Sequence, residues 1–170
     1  MSVDQVNNIQ LGHINNCAMQ QMQSNSSVAN RYGVKLVAYE GGESLVGYGG
    51  AENNTALTSL FGAASRSSQM TSLYGQYFQN WVNAGGDLFV HYTDVAPFSK
   101  WGNFGTLEYQ DQDLNTAPKY QALRLLRSST RREPTGPDLV RVQDYVDRRS
   151  RSAWLTPCHA FLSPTLYIIY

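Results

Sequence analysis

The stretch Val34-Lys35-Leu36-Val37-Ala38-Tyr39-Glu40-Gly41-Gly42 decides how this sequence folds. Its first six residues form a short, mostly apolar run, which is typical of a β-strand buried on both faces of a parallel sheet. Glu40 ends this run and two glycines follow it at once. We therefore expect the chain to turn sharply directly after a carboxylate, with room left beside that carboxylate.

A second strand of the same kind is predicted at residues 88–92, where the sequence reads Leu-Phe-Val-His-Tyr. Between the two strands, residues 68–82 predict an amphipathic helix, because one face is apolar and aromatic at spacings of three and four. That face comprises Met70, Leu73, Tyr74, Tyr77, Phe78, Trp81 and Val82. Ser67 or Ser68 can cap the start of this helix, and Gly85-Gly86 ends it.

Helices are also predicted on either side of this unit. Residues 3–24 place apolar side chains at helical spacing, and Tyr32-Gly33 ends the segment. These apolar positions are Leu11, Ile14, Ala18 and Met22. The glycine-rich residues 41–54 predict a long loop. Pro118, with Asn115 or Thr116 as the cap, opens a last helix that extends to residue 126.

Strands that alternate with helices predict an α/β fold with a parallel sheet. Two parallel strands do not make an independently stable sheet. We therefore expect further strands, either in other chains or in sequence outside these 170 residues.

The overall charge balance hides two unlike parts. The chain holds 13 Lys and Arg residues against 13 Asp and Glu residues. Residues 1–123 hold five basic and nine acidic groups, whereas residues 124–170 hold eight arginines and four acidic groups. This shift predicts a domain over residues 1–127 and an Arg-rich tail over residues 128–170. Acidic residues interrupt the arginines, which favours a solvated or disordered tail over a basic arm for an anionic partner. A third interpretation is that the tail is a frameshift or read-through product.

Composition also excludes several classes of protein. A net charge of zero argues against a protein built mainly to hold nucleic acid or an anionic membrane. No stretch is apolar for long enough to span a membrane, and no signal peptide is visible at the start of the chain. Cys17 and Cys158 are too far apart in sequence to define a disulfide framework. The compartment stays unassigned.

Chemistry in parallel α/β folds lies at the carboxyl ends of the strands. Two segments here meet that condition, Tyr39-Glu40 and His91-Tyr92-Thr93-Asp94. Glu40 is either a surface carboxylate at a strand end or a functional group, and His91 is either a core histidine bonded to the backbone or a site residue. Their occurrence at equivalent ends of consecutive strands favours a site. Tyr39, Tyr92 and Trp101 add aromatic faces suited to stacking on sugar rings.

Other motifs are weak. Gly47-Tyr48-Gly49-Gly50-Ala51-Glu52 begins like a dinucleotide-binding fingerprint, but Glu52 occupies the position of the third glycine. His13 and Cys17 are four residues apart, which is more often incidental than part of a zinc site. No cofactor and no metal site is predicted.

An ordered series of segments resembles the C-terminal part of (β/α)8-barrel proteins related to glycoside hydrolases, including bacterial proteins described as cellulose-binding. The series comprises Val37-Ala38-Tyr39-Glu40-Gly41-Gly42, Arg66, Met70-Thr71-Ser72-Leu73-Tyr74, Trp81, Gly85-Gly86-Asp87-Leu88-Phe89, Ser99-Lys100-Trp101-Gly102-Asn103-Phe104-Gly105-Thr106-Leu107-Glu108 and Ala117-Pro118-Lys119-Tyr120-Gln121-Ala122-Leu123. It covers about residues 30–126. The resemblance implies a fragment from about helix six to helix eight of a TIM barrel.

The same resemblance implies that the first predicted strand is strand seven and the second is strand eight. Glu40 then occupies the position of the nucleophile of retaining barrel hydrolases, and Tyr39, His91, Tyr92, Asp94 and Trp101 would line the sugar subsite. The general acid/base, a Glu at the end of strand four, has no counterpart in this chain. Glu43 and Glu108 are not evident substitutes.

Three functions follow as hypotheses. The first is a fragment of a glycoside hydrolase-like barrel, inactive by itself, whose partner is a polysaccharide or an oligosaccharide. The second is a carbohydrate-binding protein on the same barrel, with Glu40 used for hydrogen bonding. The third is a small α/β interaction module with no role in sugar binding.

Overall fold

The computed structural model describes residues 1–129 and 165–168 of the chain. Its helices are α1 (Val3–His13), a π-helical segment (Ile14–Ala18), α2 (Met19–Arg31), α3 (Thr55–Arg66), α4 (Gln69–Asn83) and α5 (Pro118–Ser129), with single 3-10 turns at Ala51–Asn53 and Leu114–Thr116. Its strands are β1 (Leu36–Gly41), β2 (Gly86–His91) and β3 (Thr165–Ile168). The fold is therefore mixed α/β, as predicted.

Strands β1 and β2 pair in parallel, and α3 and α4 connect them. Leu36 lies opposite Gly86, and Gly41 lies opposite His91. Both strands begin two residues away from their predicted starts. Strand β3 pairs antiparallel with the other edge of β1, which gives the sheet order β2-β1-β3. Its four residues belong to the predicted tail. The first two residues of that tail end helix α5. Residues 130–164 and 169–170, and with them the prediction of disorder or a foreign reading frame, lie outside the described residues.

The main core lies between the sheet and the helices α2 and α4. The apolar stripe of α4 is buried as predicted, except that Phe78 is only partly buried and Val82 is 56% exposed. Trp81 packs edge-on against Phe89 of β2, with 5.3 Å between the ring centroids. Each large apolar side chain buried in this way stabilises the fold by about 1.5–3 kcal/mol. The stripe is thus the main attachment of α4 to the sheet.

Burial of the strands on both faces was predicted, and the structure corrects it. Leu36 and Ala38 are buried against the helices. Tyr39 and Leu88, on the opposite side of the strands, are 41% and 38% exposed. The reason is that α2 and α4 pack on one face, and no other element among residues 1–129 covers the second face.

The first helix contains an irregular turn that was not predicted. It extends continuously from Val3 to Arg31. The amide of Asn80 donates a hydrogen bond of 3.1 Å to the carbonyl of Ile14, where the π-helical segment begins. Inserted polar groups of this kind open the regular i to i−4 ladder. The helix ends at the predicted place, where Gly33 adopts a φ of 64°.

Helix α3 was not predicted, and the residues it occupies follow the predicted loop 41–54. The side chain of Asn54 accepts a hydrogen bond from the N–H of Leu57 and caps its start. Helix α4 lacks the predicted serine cap, because Ser67 accepts a hydrogen bond from Asn7 and the Ser68 side chain makes no capping bond. Helix α5 begins at Pro118 as predicted.

Candidate functional site

The carboxyl ends of β1 and β2 lie side by side. Gly41 is the partner of His91, and the backbone N–H of Tyr92 donates to the carbonyl of Gly41 at 2.9 Å. The segment that carries Tyr39 and Glu40 is therefore adjacent to the segment that carries His91 and Tyr92. We call this part of the surface, together with Trp101 in the loop after β2, the carboxyl edge.

Glu40 lies in an irregular part of β1. Between Ala38 and Gly41 the strand advances three residues, while β2 advances only two, from Phe89 to His91. This extra residue is a β-bulge, a feature that redirects a side chain at the end of a strand. Glu40 is half-buried.

Three aromatic side chains of the carboxyl edge are open to solvent. Tyr39 and Tyr92 are each 41% exposed, and Trp101 is 67% exposed. The ring of Phe104 packs edge-on against Tyr92, with 5.5 Å between their centroids. Exposed rings with a fixed orientation supply flat apolar area for a ligand at low entropic cost.

The loop that carries Trp101 is tied to the loop after β1. The Nζ atom of Lys100 donates to the side-chain oxygen of Asn53 at 3.1 Å and lies 4.6 Å from the centroid of the Trp101 ring. Asp94, predicted as a sugar-binding residue, is half-buried in the same loop. The peptide bond between Tyr92 and Thr93 is cis.

His91 lies beneath the carboxyl edge instead of on it. It is 8% exposed, and both ring nitrogens are engaged. Its Nε2 is 3.0 Å from the hydroxyl of Tyr74, and its Nδ1 is 3.1 Å from the hydroxyl of Thr106. This geometry fits the alternative of a core histidine, although its partners are two hydroxyl groups and not the backbone.

The hydrogen-bond partners of His91 determine which of its ring nitrogens carries the proton. Thr106 donates its hydroxyl proton to the carbonyl of Thr93, so it accepts from Nδ1 of His91. Tyr74 accepts from the N–H of Glu43, so it donates to Nε2. These roles assign the neutral Nδ1–H tautomer. Burial, assisted by the charge of Lys119, lowers the pKa of His91 to about 3, and burial raises the pKa of Tyr74 well above its ordinary value.

The two glycines after Glu40 make close contacts with rings of β2. A Cβ atom on Gly41 would lie 2.5 Å from the ring of Phe89. A Cβ atom on Gly42 would lie 2.8 Å from Nε2 of His91, and Gly42 has a φ of 139°. The predicted space beside the carboxylate is thus filled by these rings, and glycine is required because side chains would collide with them.

A closed ring of buried polar groups lies next to His91 and Tyr74. It consists of Glu43, Ser65, Asn103 and Lys119, and we call it the buried polar ring. Lys119 Nζ lies 2.5 Å from Glu43 Oε2, and Ser65 donates to Glu43 Oε1 at 2.8 Å. The amide of Asn103 donates to Ser65 at 3.0 Å, and Lys119 donates to the carbonyl of Asn103, which closes the ring. Burial lowers the pKa of Lys119, and the Glu43 carboxylate opposes this effect.

A second ion pair lies on the outer side of the buried polar ring. Arg66 donates two hydrogen bonds to the carboxylate of Glu108, at 2.6 and 2.5 Å. These bonds raise the pKa of Arg66. The ring of Phe98 lies between the two cations, 5.1 Å from the Arg66 guanidinium carbon and 4.6 Å from Lys119 Nζ. The carboxylates of Glu43 and Glu108 are therefore both held by cations.

The sequence did not point to the buried polar ring. Its members are separated by up to 76 positions along the chain and follow no spacing rule. The available signal was a charged residue, Glu43, placed directly after two glycines at a strand end.

Comparison with known proteins yields no relative: no family model, curated protein or solved structure matches this chain. Within residues 1–129 and 165–168, no group of three His, Cys, Asp or Glu side chains is placed to hold a metal ion. None of the helices in this part of the chain is both long and apolar enough to cross a membrane.

Proposed function

We propose that this chain carries the carbohydrate-binding edge of a glycoside hydrolase-like (β/α)8 barrel, with Glu40 at the position of the nucleophile. The observation that supports it is the carboxyl edge. Two exposed tyrosines and one carboxylate lie at the ends of two adjacent parallel strands, and the exposed Trp101 lies in the loop that follows the second strand. Aromatic faces stack on the C–H surfaces of sugar rings, and a carboxylate accepts hydrogen bonds from sugar hydroxyls.

The barrel itself is part of the proposal. The parallel pairing of β1 and β2, with a helical connection between them, is the repeating unit of such a barrel. The exposed face of the sheet, which includes Tyr39 and Leu88, would line the barrel interior. Strand β3 takes the outer edge of β1 in antiparallel orientation, where a barrel would place a parallel strand.

Within a complete retaining hydrolase, Glu40 would attack the anomeric carbon as the bond to the leaving group breaks. A second carboxyl group would protonate the leaving oxygen and later deprotonate the attacking water, and the two groups would lie about 5–5.5 Å apart. Neither Glu43 nor Glu108 is suited to that role, since each is held in an ion pair. The chain by itself should therefore bind sugars without cleaving them.

Calorimetric titration of the chain with cellohexaose, xylohexaose and mannohexaose tests the binding. We expect at least one of them to bind, and to bind more weakly when Tyr39 or Trp101 is replaced by alanine. Absence of binding to all three would favour the small interaction module and contradict the proposal. Hydrolysis of an aryl glycoside by the purified chain would contradict the assignment of Glu43 and Glu108 to structural pairs.

A non-catalytic carbohydrate-binding protein is the second candidate. The ion-paired state of Glu43 and Glu108 favours it, because it removes these two glutamates as catalytic partners of Glu40. Substitution Glu40→Gln separates the two candidates in a protein that contains the whole barrel. A nucleophile loses turnover and keeps binding, whereas a hydrogen-bonding residue of a binding protein affects affinity alone.

A further inference from the structure

Lys119 is a buried lysine whose ion pair, hydrogen bond and cation–π contact are made with the two loops that follow the parallel strands. Its side chain is 1% exposed. It is paired with Glu43 in the loop after β1, and it contacts the carbonyl of Asn103 and the ring of Phe98 in the loop after β2. One cation in α5 thus connects both loops.

Ser65 gives the same two loops a second connection. Its hydroxyl lies 2.8 Å from the carboxylate of Glu43 and 3.0 Å from the amide nitrogen of Asn103. The buried polar ring therefore joins four separate segments, namely two loops, α3 and α5. Neither loop can shift without breaking a hydrogen bond to a charged group.

Both anchored residues lie close in sequence to the carboxyl edge. Glu43 follows Glu40 by three positions, and Asn103 follows Trp101 by two. A displacement of Glu43 or Asn103 would therefore reach the edge through only two or three peptide units. A small misplacement of a positioning group is enough to weaken binding and catalysis severely.

The energetics favour a positioning role for the ring over a stabilising one. Desolvation of two charges offsets much of their attraction, so apolar side chains of the same volume often stabilise a core equally well. Charge-assisted hydrogen bonds differ from apolar contacts in that they fix both distance and direction. The distinct contribution of the ring is thus the relative placement of the two loops.

We infer that Lys119 is a positioning residue that holds Glu40 and Trp101 in one arrangement at the carboxyl edge. For the nature of the ligand, this inference rests on the proposed function. Lys119 itself is buried and does not touch the ligand.

The experiment uses the full chain and the double substitution Glu43→Gln/Lys119→Met, which removes both charges and keeps the side-chain volumes. The single substitution Lys119→Met is measured beside it, because it leaves Glu43 buried without its cation. Binding of the three hexasaccharides is measured by calorimetry, and folding by urea titration. The environment of Trp101 is measured by the ¹⁹F resonance of 5-fluorotryptophan, assigned with Trp101→Phe.

We expect the double variant to fold and to unfold at a urea concentration lowered only by the loss of the donor to the Asn103 carbonyl, and yet to bind the sugar at least about tenfold more weakly. Its Trp101 resonance should shift. The matched control is Lys35→Met/Asp87→Asn, which removes the exposed ion pair of 2.9 Å at the opposite ends of the strands. This control should change neither affinity nor the resonance.

Unchanged affinity and an unchanged Trp101 resonance in the double variant would overturn the inference. The same holds if the double variant fails to fold, since the ring would then serve stability, or if the control pair has an equal effect. If the unmodified chain binds none of the sugars, the proposed function fails. In that case a shifted Trp101 resonance in the double variant supports the positioning role of Lys119, and an unchanged resonance contradicts it.

Discussion

The hydroxyl oxygen of Tyr74 lies 3.0 Å from Nε2 of His91, so a side chain of α4 holds the last residue of β2. The same oxygen accepts the backbone N–H of Glu43 at 3.1 Å. One buried phenol therefore joins the helix to the segments at the ends of both parallel strands. These bonds lie directly beneath the carboxyl edge.

Replacing Tyr74 by phenylalanine should destabilise the fold by about 1–3 kcal/mol, because it leaves two buried polar groups without a partner. Urea unfolding measures this effect. The matched control is Tyr77→Phe in the same helix, since the buried hydroxyl of Tyr77 has no hydrogen-bond partner among the described residues. That change should be neutral or stabilising. An equal loss in both variants would contradict the hydrogen-bond assignment.

The free energy of unfolding should decrease as the pH is lowered, because His91 becomes protonated more readily in the unfolded state. Its pKa is about 3 in the folded chain and near 6.5 when unfolded, so the unfolded state binds the extra proton between these values. The contribution of neutral His91 is therefore fully present above pH 6.5 and is lost as the pH falls toward 3, at up to about 1.4 kcal/mol per pH unit.

Urea unfolding between pH 7 and pH 4 measures this dependence. The variant His91→Gln should show a smaller slope than the unmodified chain. Equal slopes for the two proteins would show that His91 ionises normally in the folded state.

Gly42 should not accept alanine. Its φ of 139° is unfavourable for any side chain, and a Cβ atom would collide with the His91 ring at 2.8 Å. We expect Gly42→Ala to lower the free energy of unfolding by more than about 2 kcal/mol. The control is Gly49→Ala, where φ is 66° and no atom lies within 4 Å of the added Cβ. A cost no larger than that of the control would disprove the close contact with His91.

Trp101 should matter for ligand binding and not for stability. It is 67% exposed, and exposed positions of this kind change the free energy of unfolding by about 0.5 kcal/mol or less. Trp101→Ala should therefore weaken binding of a hexasaccharide while the urea midpoint stays constant. Tyr32→Ala removes an equally exposed aromatic side chain before β1, at the amino end of the strands, and should leave binding unchanged.

The elements that obey a local pattern could be predicted from the sequence. The aromatic stripe of α4 and the two apolar strands each bury a periodic set of side chains, so spacing alone identified them. Helix α3 was missed although it carries such a pattern, because Leu57, Leu60, Phe61 and Ala64 recur at helical spacing and pack into one hydrophobic cluster. Serine, threonine, alanine and glycine dominate the rest of the segment and weaken the signal. Its helical form depends on the Asn54 cap and on tertiary packing.

Part of the candidate site could be predicted, because it lies at strand ends that a local pattern reveals. Glu40, Tyr39 and Tyr92 were identifiable because strand ends are visible in the sequence. The buried polar ring was not, because Glu43 and Lys119 look like ordinary surface charges until the fold brings them to 2.5 Å. His91 was identified, but its burial depends on Tyr74, a residue whose helical spacing indicated only core packing.

The bulge in β1 divides one short strand into two parts with different structural constraints. Residues before it, Leu36 and Ala38, are constrained by the helices packed on them. In a regular strand, a shift of one residue would exchange the two faces along its whole length. The extra residue at Tyr39 and Glu40 absorbs such a shift locally. The side chain at position 40 can therefore be exchanged without moving the residues that pack against the helices.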